Sequence, residues 1–230
     1  GTNTHLEHLE DSIIDRGSKG GKDAVNFLKS IKKMLTGHTG GRLNVTVKWD
    51  GAPAVICGIN PENGKFFVGT KSIFNVNPKI NYSTGDILKN HDGPLASKLI
   101  VCLRELSKLG ITGILQGDLL FTKGDVKTTS IDEQDYYTFT PNTITYAVAV
   151  NSEIGKKISR ARLGIVFHTL YSGNKMNSLK ASFGSIRGFP TLSSVFVTDA
   201  TYKDASGSAT FNKSCLLYTS PSPRDATLSR

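Results

Sequence analysis

A lysine and an aspartate stand two positions apart in the run Lys48-Trp49-Asp50-Gly51, a spacing that is suited to covalent chemistry. Apolar and polar residues alternate through positions 43–50, which predicts a strand whose polar face carries Lys48 and Asp50. Gly51 and Pro53 then predict a turn. A lysine held against a low-dielectric sheet can lose its proton and attack phosphorus or carbonyl carbon, with Asp50 orienting it. The alternative is a solvated Lys/Asp pair beside a hairpin turn.

Three further motifs follow along the chain. They are Gly69-Thr70-Lys71-Ser72, Leu115-Gln116-Gly117-Asp118-Leu119-Leu120-Phe121 and Gly164-Ile165-Val166-Phe167-His168-Thr169-Leu170-Tyr171. Together the four motifs resemble those of the covalent nucleotidyltransferases, the superfamily of ATP-dependent DNA and RNA ligases and mRNA capping enzymes. Lys-x-Asp-Gly followed by Thr-Lys-x-Ser is most similar to phage-type RNA ligases. The resemblance covers roughly residues 40–175.

This resemblance implies an activity for the first motif. Lys48 would attack the α-phosphate of ATP, giving a lysine-linked AMP and pyrophosphate, while Mg²⁺ neutralises the developing charge. Asp50 and Gly51 would complete the site beside the nucleophile. AMP would then pass to the 5′-phosphate end of an RNA or DNA strand. Two alternatives stay open, a GTP-using capping-type transferase and a non-catalytic basic module that binds nucleic acid.

The second and third motifs supply further candidate ligands of the nucleotide. A hairpin predicted over residues 54–69 brings Lys71 toward Lys48, where a second cation would help to hold a triphosphate. Ser72 would add a hydroxyl, and the alternative is a surface lysine. Asp118 lies in an apolar strand, so it faces a cleft, pairs with a cation or holds a metal, unless it is an edge carboxylate in water. In the resembled family an acid at this position binds nucleotide and metal.

The fourth motif predicts a strand over residues 163–171, with Phe167 and Tyr171 on one face and His168 on the other. The resemblance implies that an aromatic ring of this motif stacks on the purine. Phe167 is the candidate for this role, and a core phenylalanine is the alternative. His168 is interpreted as a structural histidine.

The overall pattern predicts an α+β protein, in which antiparallel sheets flanked by helices form a nucleotidyltransferase (adenylation) domain over residues 37–214. Two helices, at 5–15 and 22–35, would form an N-terminal flank over residues 1–36. Further strands are predicted at 111–121, 142–150 and 194–199, helices at 95–109 and 152–161, and polar loops or insertions at 75–94 and 123–140. In the strand at 111–121, Gln116 and Asp118 would share one face, with Leu119 and Phe121 on the other.

Composition indicates a polyanionic partner. The formal net charge is +9 with a pI near 9.4, and nucleic-acid phosphates are the common counterpart of such a charge. A basic cluster on the helix at 152–161 could contact a phosphate backbone, although a solvated face is an equal alternative. The three cysteines have no metal-ligand spacing. With no membrane-length apolar run and no signal-peptide pattern, a cytoplasmic protein is expected.

The C-terminal residues carry a separate signal. Residues 215–225 match, in order, the translation of a transposon-end sequencing adapter, so native sequence is expected to stop near Ser214. A disordered Ser/Pro tail is the alternative. We therefore expect residues 215–230 to be unpacked. The Glu-Gly motif and paired lysines of the resembled family are missing before Ser214, so weak adenylylation is expected.

Overall fold

Mixed α+β structure is found in the computed structural model over the residues that it describes, which are 45–48, 51–142, 144–183, 189–199, 208–211 and 215–219. The predicted fold class is confirmed at this level. The helices predicted at 5–15 and 22–35 lie outside the described residues. No helix within the described ranges is both long and apolar enough to cross a bilayer.

The strands and helices have the following bounds. In chain order the strands are β1 (Val45–Lys48), β2 (Ala54–Ile59), β3 (Phe66–Gly69), β4 (Ile114–Thr122), β5 (Lys127–Ile131), β6 (Gln134–Phe139), β7 (Ile144–Ala149), β8 (Leu163–Ser172), β9 (Lys180–Phe183), β10 (Val195–Asp199), β11 (Ser208–Phe211) and β12 (Cys215–Thr219). The helices are α1 (Thr84–Asn90), α2 (Gly93–Leu106) and α3 (Glu153–Arg160), and short 3₁₀ segments span Lys71–Phe74, Ser107–Leu109, Lys123–Asp125 and Met176–Ser178.

A six-stranded central sheet forms the body of the fold. Its order is β10-β8-β4-β2-β3, and β9 also pairs with β8. The predicted hairpin is confirmed as β2–β3, with Gly64 in the left-handed conformation (φ 71°) that its turn requires. The predicted antiparallel sheets are confirmed, and among the described strand pairs the exception is at one edge, where β10 runs parallel to β8. The two strands start at the same end, where the Arg162 backbone donates a hydrogen bond to Ser194 O just before both strands begin.

One face of the central sheet packs against α2. The helix turns an apolar stripe toward the sheet, since Leu99, Cys102 and Leu106 recur at helical spacing and are fully buried. Val55 and Cys57 of β2 face this stripe. Each such side chain contributes about 1.5–3 kcal/mol when it leaves water, so this layer holds the sheet rigid.

The opposite face of the central sheet is divided. Ile114, at the start of β4, belongs to an apolar cluster formed with Ile56 and Ile73. Leu120, near the end of β4, belongs to a second cluster beneath the four-stranded sheet β12-β7-β6-β5. Gln116 and Asp118 lie between these two positions on the same face. The fold therefore leaves a polar gap between two apolar clusters.

Two β-bulges between β4 and β8 change which residues share a face. Gln116 pairs with Thr169 and Gly117 with Phe167, so His168 is an extra residue in β8. Phe167 and Tyr171 consequently lie on opposite faces, and the prediction that they share one is wrong, because a bulge interrupts the two-residue period. The second irregularity follows Leu119 on β4 and moves Phe121 into the cluster beneath the four-stranded sheet.

Two segments predicted to be irregular contain regular structure. The loop predicted at 75–94 includes α1, because Ser83 accepts a hydrogen bond from the Asp86 backbone and caps a helix that begins among turn-forming residues. The insertion predicted at 123–140 is the β5–β6 hairpin. Its two-residue turn is Asp132-Glu133, with φ of 48° and 63°, a combination that usually contains asparagine or glycine.

The C-terminal expectation is also corrected in part. Strand β12 pairs antiparallel with β7, with Cys215 opposite Val148 and Thr219 opposite Ile144. The prediction that residues 215–230 are unpacked is therefore wrong for 215–219, because alternate backbone groups of an exposed sheet edge accept an added strand. Residues 220–230 lie outside the described residues.

Candidate functional site

The segment that follows the Lys-x-Asp-Gly motif lies directly against β4. The Ala52 backbone donates a hydrogen bond to Leu119 O at 3.2 Å, and the Leu119 backbone donates to Pro53 O at 3.1 Å. A Cβ on Gly51 would lie 2.6 Å from Asp118 Cβ, closer than any real side chain permits. Glycine at this position therefore allows the first motif to approach the third.

Within the first motif, the structure describes Gly51 and the backbone of Lys48. Lys48 ends β1 and pairs with Ser208 of β11. Consecutive Cα atoms are about 3.8 Å apart, so three residues place Lys48 Cα at most about 11 Å from Gly51 Cα. The Lys48 side chain and the whole of Asp50 lie outside the described residues. Chain connectivity thus keeps the proposed nucleophile in the neighbourhood of Asp118.

Asp118 faces the polar gap and has a partner. His168 Nε2 lies 3.3 Å from Asp118 Oδ2, and the two side chains are 20% and 24% exposed. His168 Nδ1 in turn lies 2.8 Å from Thr169 Oγ1. Of the open possibilities for this carboxylate, the described geometry is that of a partly buried acid beside a histidine.

Gln116 continues the polar row along β4. Its side chain is only 8% exposed, and the Tyr171 hydroxyl donates a hydrogen bond of 2.6 Å to its Oε1. Burial raises the pKa of the Tyr171 hydroxyl, which keeps that group protonated and able to donate. The Phe74 ring packs against Tyr171 with centroids 5.4 Å apart and is 44% exposed. An aromatic pair therefore borders the amide.

Lys71 and Ser72 lie on the short 3₁₀ segment that also carries Phe74. Thr70 caps this segment by accepting a hydrogen bond from the Ser72 backbone at 3.2 Å, and the two hydroxyls are 2.8 Å apart. The Lys71 side chain is exposed. Because Phe74 contacts Tyr171, the segment borders the polar gap. The structure thus places Lys71 and Ser72 on the segment beside Tyr171, toward the Gln116 end of the row.

Phe167 is placed elsewhere. Its side chain is 3% exposed and belongs to the core beneath α2, where its ring centroid lies 5.5 Å from that of Phe189. The ring is on the side of the sheet opposite to Asp118 and has no open face for a purine. The aromatic rings beside the polar row are Phe74 and Tyr171, which the sequence reasoning did not select. The sequence carries no clear signal for Phe74, because the run Thr70 to Asn77 also contains the apolar residues Ile73 and Val76.

The side chains around Asp118 determine whether this site could hold a metal ion. The described residues contain no group of three or more His, Cys, Asp or Glu side chains that could hold an ion. Asp118 can still contribute one carboxylate, since Mg²⁺ commonly binds one or two carboxylates and takes its other oxygens from water and substrate phosphates. The donor set fits a substrate-dependent Mg²⁺ site and no preformed cage.

The basic helix α3 lies apart from this row. Its lysines and Arg160 are exposed, and Lys156 pairs with Glu153 at 3.3 Å. Its buried Ile158 packs into the cluster beneath the four-stranded sheet. The described geometry is that of a solvated, amphipathic helix capped by Ser152.

Comparison with known proteins gives a family and no activity. No curated protein and no solved structure matches the sequence. A family model described as "Family of unknown function (DUF6267)" matches residues 3–218, which is nearly the whole chain and includes all four motifs. The chain therefore belongs to the DUF6267 family.

Proposed function

We propose that this protein is a covalent nucleotidyltransferase of the ATP-dependent polynucleotide ligase type. It forms a lysyl-AMP intermediate from ATP and passes AMP to the 5′-phosphate end of RNA or DNA. The observation that carries the proposal is the approach of Gly51 to Asp118, at which no Cβ fits. Two motifs 67 residues apart in the sequence meet at one place on the polar side of the sheet.

The chemistry assigns a role to each residue. The Lys48 amine, as the free base, attacks the α-phosphorus; a P–N bond forms, the bond to the bridging oxygen breaks, and pyrophosphate leaves. Asp50 orients the amine, and Gly51 permits the close approach. Lys71, exposed on the 3₁₀ segment that carries Phe74, would contact the sugar or a phosphate oxygen, with Ser72 next to it on the same segment. Asp118 would hold Mg²⁺, which supplies charge neutralisation on the phosphates when bound.

The fold indicates where a nucleotide would lie and in which direction. The polar row lies between the apolar cluster around Ile56 and the cluster beneath the four-stranded sheet. A nucleotide in that gap would have its phosphates toward Gly51 and its base toward Tyr171, because Asp118 and Gln116 follow one another along β4 in that direction. We infer that the domain is of the nucleotidyltransferase type on this basis.

Labelling with nucleotide that carries a radioactive α-phosphate tests the proposal. We expect ATP and Mg²⁺ to give a covalently labelled protein, Lys48→Ala to abolish the label and Lys89→Ala, at an exposed site on α1, to retain it. The adduct accumulates in a single turnover, so long incubations compensate for a slow step. Labelling from GTP would indicate a capping-type enzyme, and labelled Lys48→Ala would refute the assigned nucleophile.

A second variant pair tests Asp118. Asp118→Asn removes the carboxylate charge at nearly constant volume, and loss of one such electrostatic contact typically costs a factor of about 10²–10³ in rate. Asp135→Asn, at an exposed position of β6, is the matched control. Unchanged labelling rates in Asp118→Asn would reduce Asp118 to an ordinary surface acid. Circular dichroism of both variants shows whether the fold is intact.

The other class of function is a basic module that binds nucleic acid without catalysis, which the net charge of +9 favours. It predicts salt-dependent binding to any duplex or single strand together with no label from either nucleotide. That pair of results would replace the transferase proposal.

A further inference from the structure

The amide of Gln116 is buried, and among the described residues only one of its four hydrogen-bonding positions has a partner. Its Oε1 accepts from the Tyr171 hydroxyl, while Nε2 has no acceptor among the residues that the structure describes. An amide group carries two N–H donors, and a buried donor without a partner costs about 1–3 kcal/mol. Such a group in a side chain that is 92% buried calls for a ligand or water to complete it.

The surroundings of the amide indicate what kind of ligand fits. Tyr171 and Phe74 form a ring pair beside it, with centroids 5.4 Å apart and an interplanar angle of 50°. Phe74 keeps 44% of its surface exposed, so one ring remains accessible to a planar partner. Aromatic faces with one adjacent hydrogen-bonding amide are the elements by which proteins bind nucleobases.

We propose that Gln116, Tyr171 and Phe74 form an adenine subsite. The Tyr171 hydroxyl fixes the amide orientation, Gln116 Nε2 donates to a ring nitrogen of the base, and the second lone pair of Oε1 accepts from the adenine amino group. A glutamine amide matches the adjacent donor and acceptor of adenine, whereas guanine presents two acceptors at the corresponding edge. The aromatic pair covers the face of the base. This subsite deepens the proposed function, on which its assignment to a nucleotide rests, by giving that site a preference for ATP over GTP.

The location is consistent with the rest of the proposed nucleotide. Asp118 follows Gln116 by two residues on the same face of β4, a separation of about 6.6 Å along a strand. That spacing places the phosphate end of a bound nucleotide near Gly51 while its base reaches the amide. The subsite is thus separate from the groups that perform the transfer.

Binding without transfer is the appropriate experiment. In the Lys48→Ala background, equilibrium affinities for ATP and GTP are measured by calorimetry, so that no covalent step contributes. We expect ATP to bind about tenfold more tightly than GTP, and Gln116→Met, which retains the volume without the amide, to remove that preference. Gln134→Met, at a surface amide of β6, should leave both affinities unchanged. Phe74→Ala should weaken both nucleotides about tenfold.

Each outcome decides the proposal. Equal ATP and GTP affinities in the parent, equal weakening of both by Gln116→Met, or no binding of either nucleotide would overturn the adenine subsite. Tyr171→Phe provides a second check, because it retains the ring and releases the amide; a preserved preference would show that orientation by the hydroxyl is not used. If the preference for ATP is found but wild-type protein is never labelled, the subsite stands and the transferase proposal fails.

Discussion

Replacing Gly51 by alanine tests the contact on which the site depends. The added Cβ would lie 2.6 Å from Asp118 Cβ and 2.9 Å from Leu119 O, where unstrained contacts are about 3.5–4.0 Å. The segment would have to move away by about 1 Å, because the obstructing atoms include the β4 backbone. Overpacking of this kind costs about 1–3 kcal/mol, and loosening the Ala52–Leu119 hydrogen bond adds about 1 kcal/mol.

Urea denaturation followed by circular dichroism measures this cost. The two costs together predict a decrease of about 2–4 kcal/mol in the free energy of unfolding, which the extrapolation to zero urea gives directly. Gly124→Ala is the matched control, since nothing lies within 4 Å of a Cβ at Gly124. We expect the control to stay within about 0.5 kcal/mol of the wild type. If Gly51→Ala is as stable as Gly124→Ala, the first and third motifs are not in contact and the site is misplaced.

The remaining predictions concern pH. Burial lowers the pKa of His91 below 6.5 in the folded protein, so on acidification the unfolded chain takes up this proton first. We therefore expect the free energy of unfolding to fall as the pH drops through 6.5. The same pH profile in a His91→Gln protein would contradict this. Burial raises the pKa of Glu105, but hydrogen bonds from Lys108 and Arg104 outweigh it and leave the pKa below 4.5. The Glu105 carboxylate therefore stabilises the folded protein above pH 4.5, and this stabilisation is lost as the pH falls through the lowered pKa. At neutral pH, urea midpoints should show Glu105→Gln less stable by about 2 kcal/mol, and exposed Glu133→Gln unchanged; equal midpoints would exclude a stabilising charge at Glu105.

Elements whose signals are local can be predicted from the sequence. The β2–β3 hairpin follows from alternation on both sides of Asn63-Gly64, and α2 from its leucine stripe, because side-chain period and turn preference belong to the segment itself. The β5–β6 hairpin is missed because Asp132-Glu133 lacks the residues that usually mark a tight turn. Which strands pair, and in which direction, depends on the path of the chain between them. The parallel pairing of β10 with β8 therefore cannot be predicted from the sequence of either strand alone.

The candidate site likewise contains some residues that the sequence predicts and others that it does not. The order of the motifs predicts that Gly51 and Asp118 belong to one site, and the structure brings them into contact. Phe167, the candidate for stacking on the purine, lies in the core, which was the alternative for this ring, while Phe74 and Tyr171 border the polar row without having been selected. Alternation assigns a residue to a face only while the register is regular, so one inserted residue reverses every later assignment.

The bulge at His168 also brings side chains of β8 to the polar row of β4. In a regular strand Thr169 and Tyr171 would follow Phe167 into the core beneath α2, where a threonine hydroxyl and a phenol would need buried partners. The extra residue turns both toward Gln116, where Tyr171 binds the amide, and it leaves His168 beside Asp118. Bulges occur often next to active sites because they redirect side chains at small cost to the sheet. A single irregularity in β8 thus brings the aromatic ring of Tyr171 to the face on which β4 already carries the acid and the amide, and the proposed transfer and its base preference require all three.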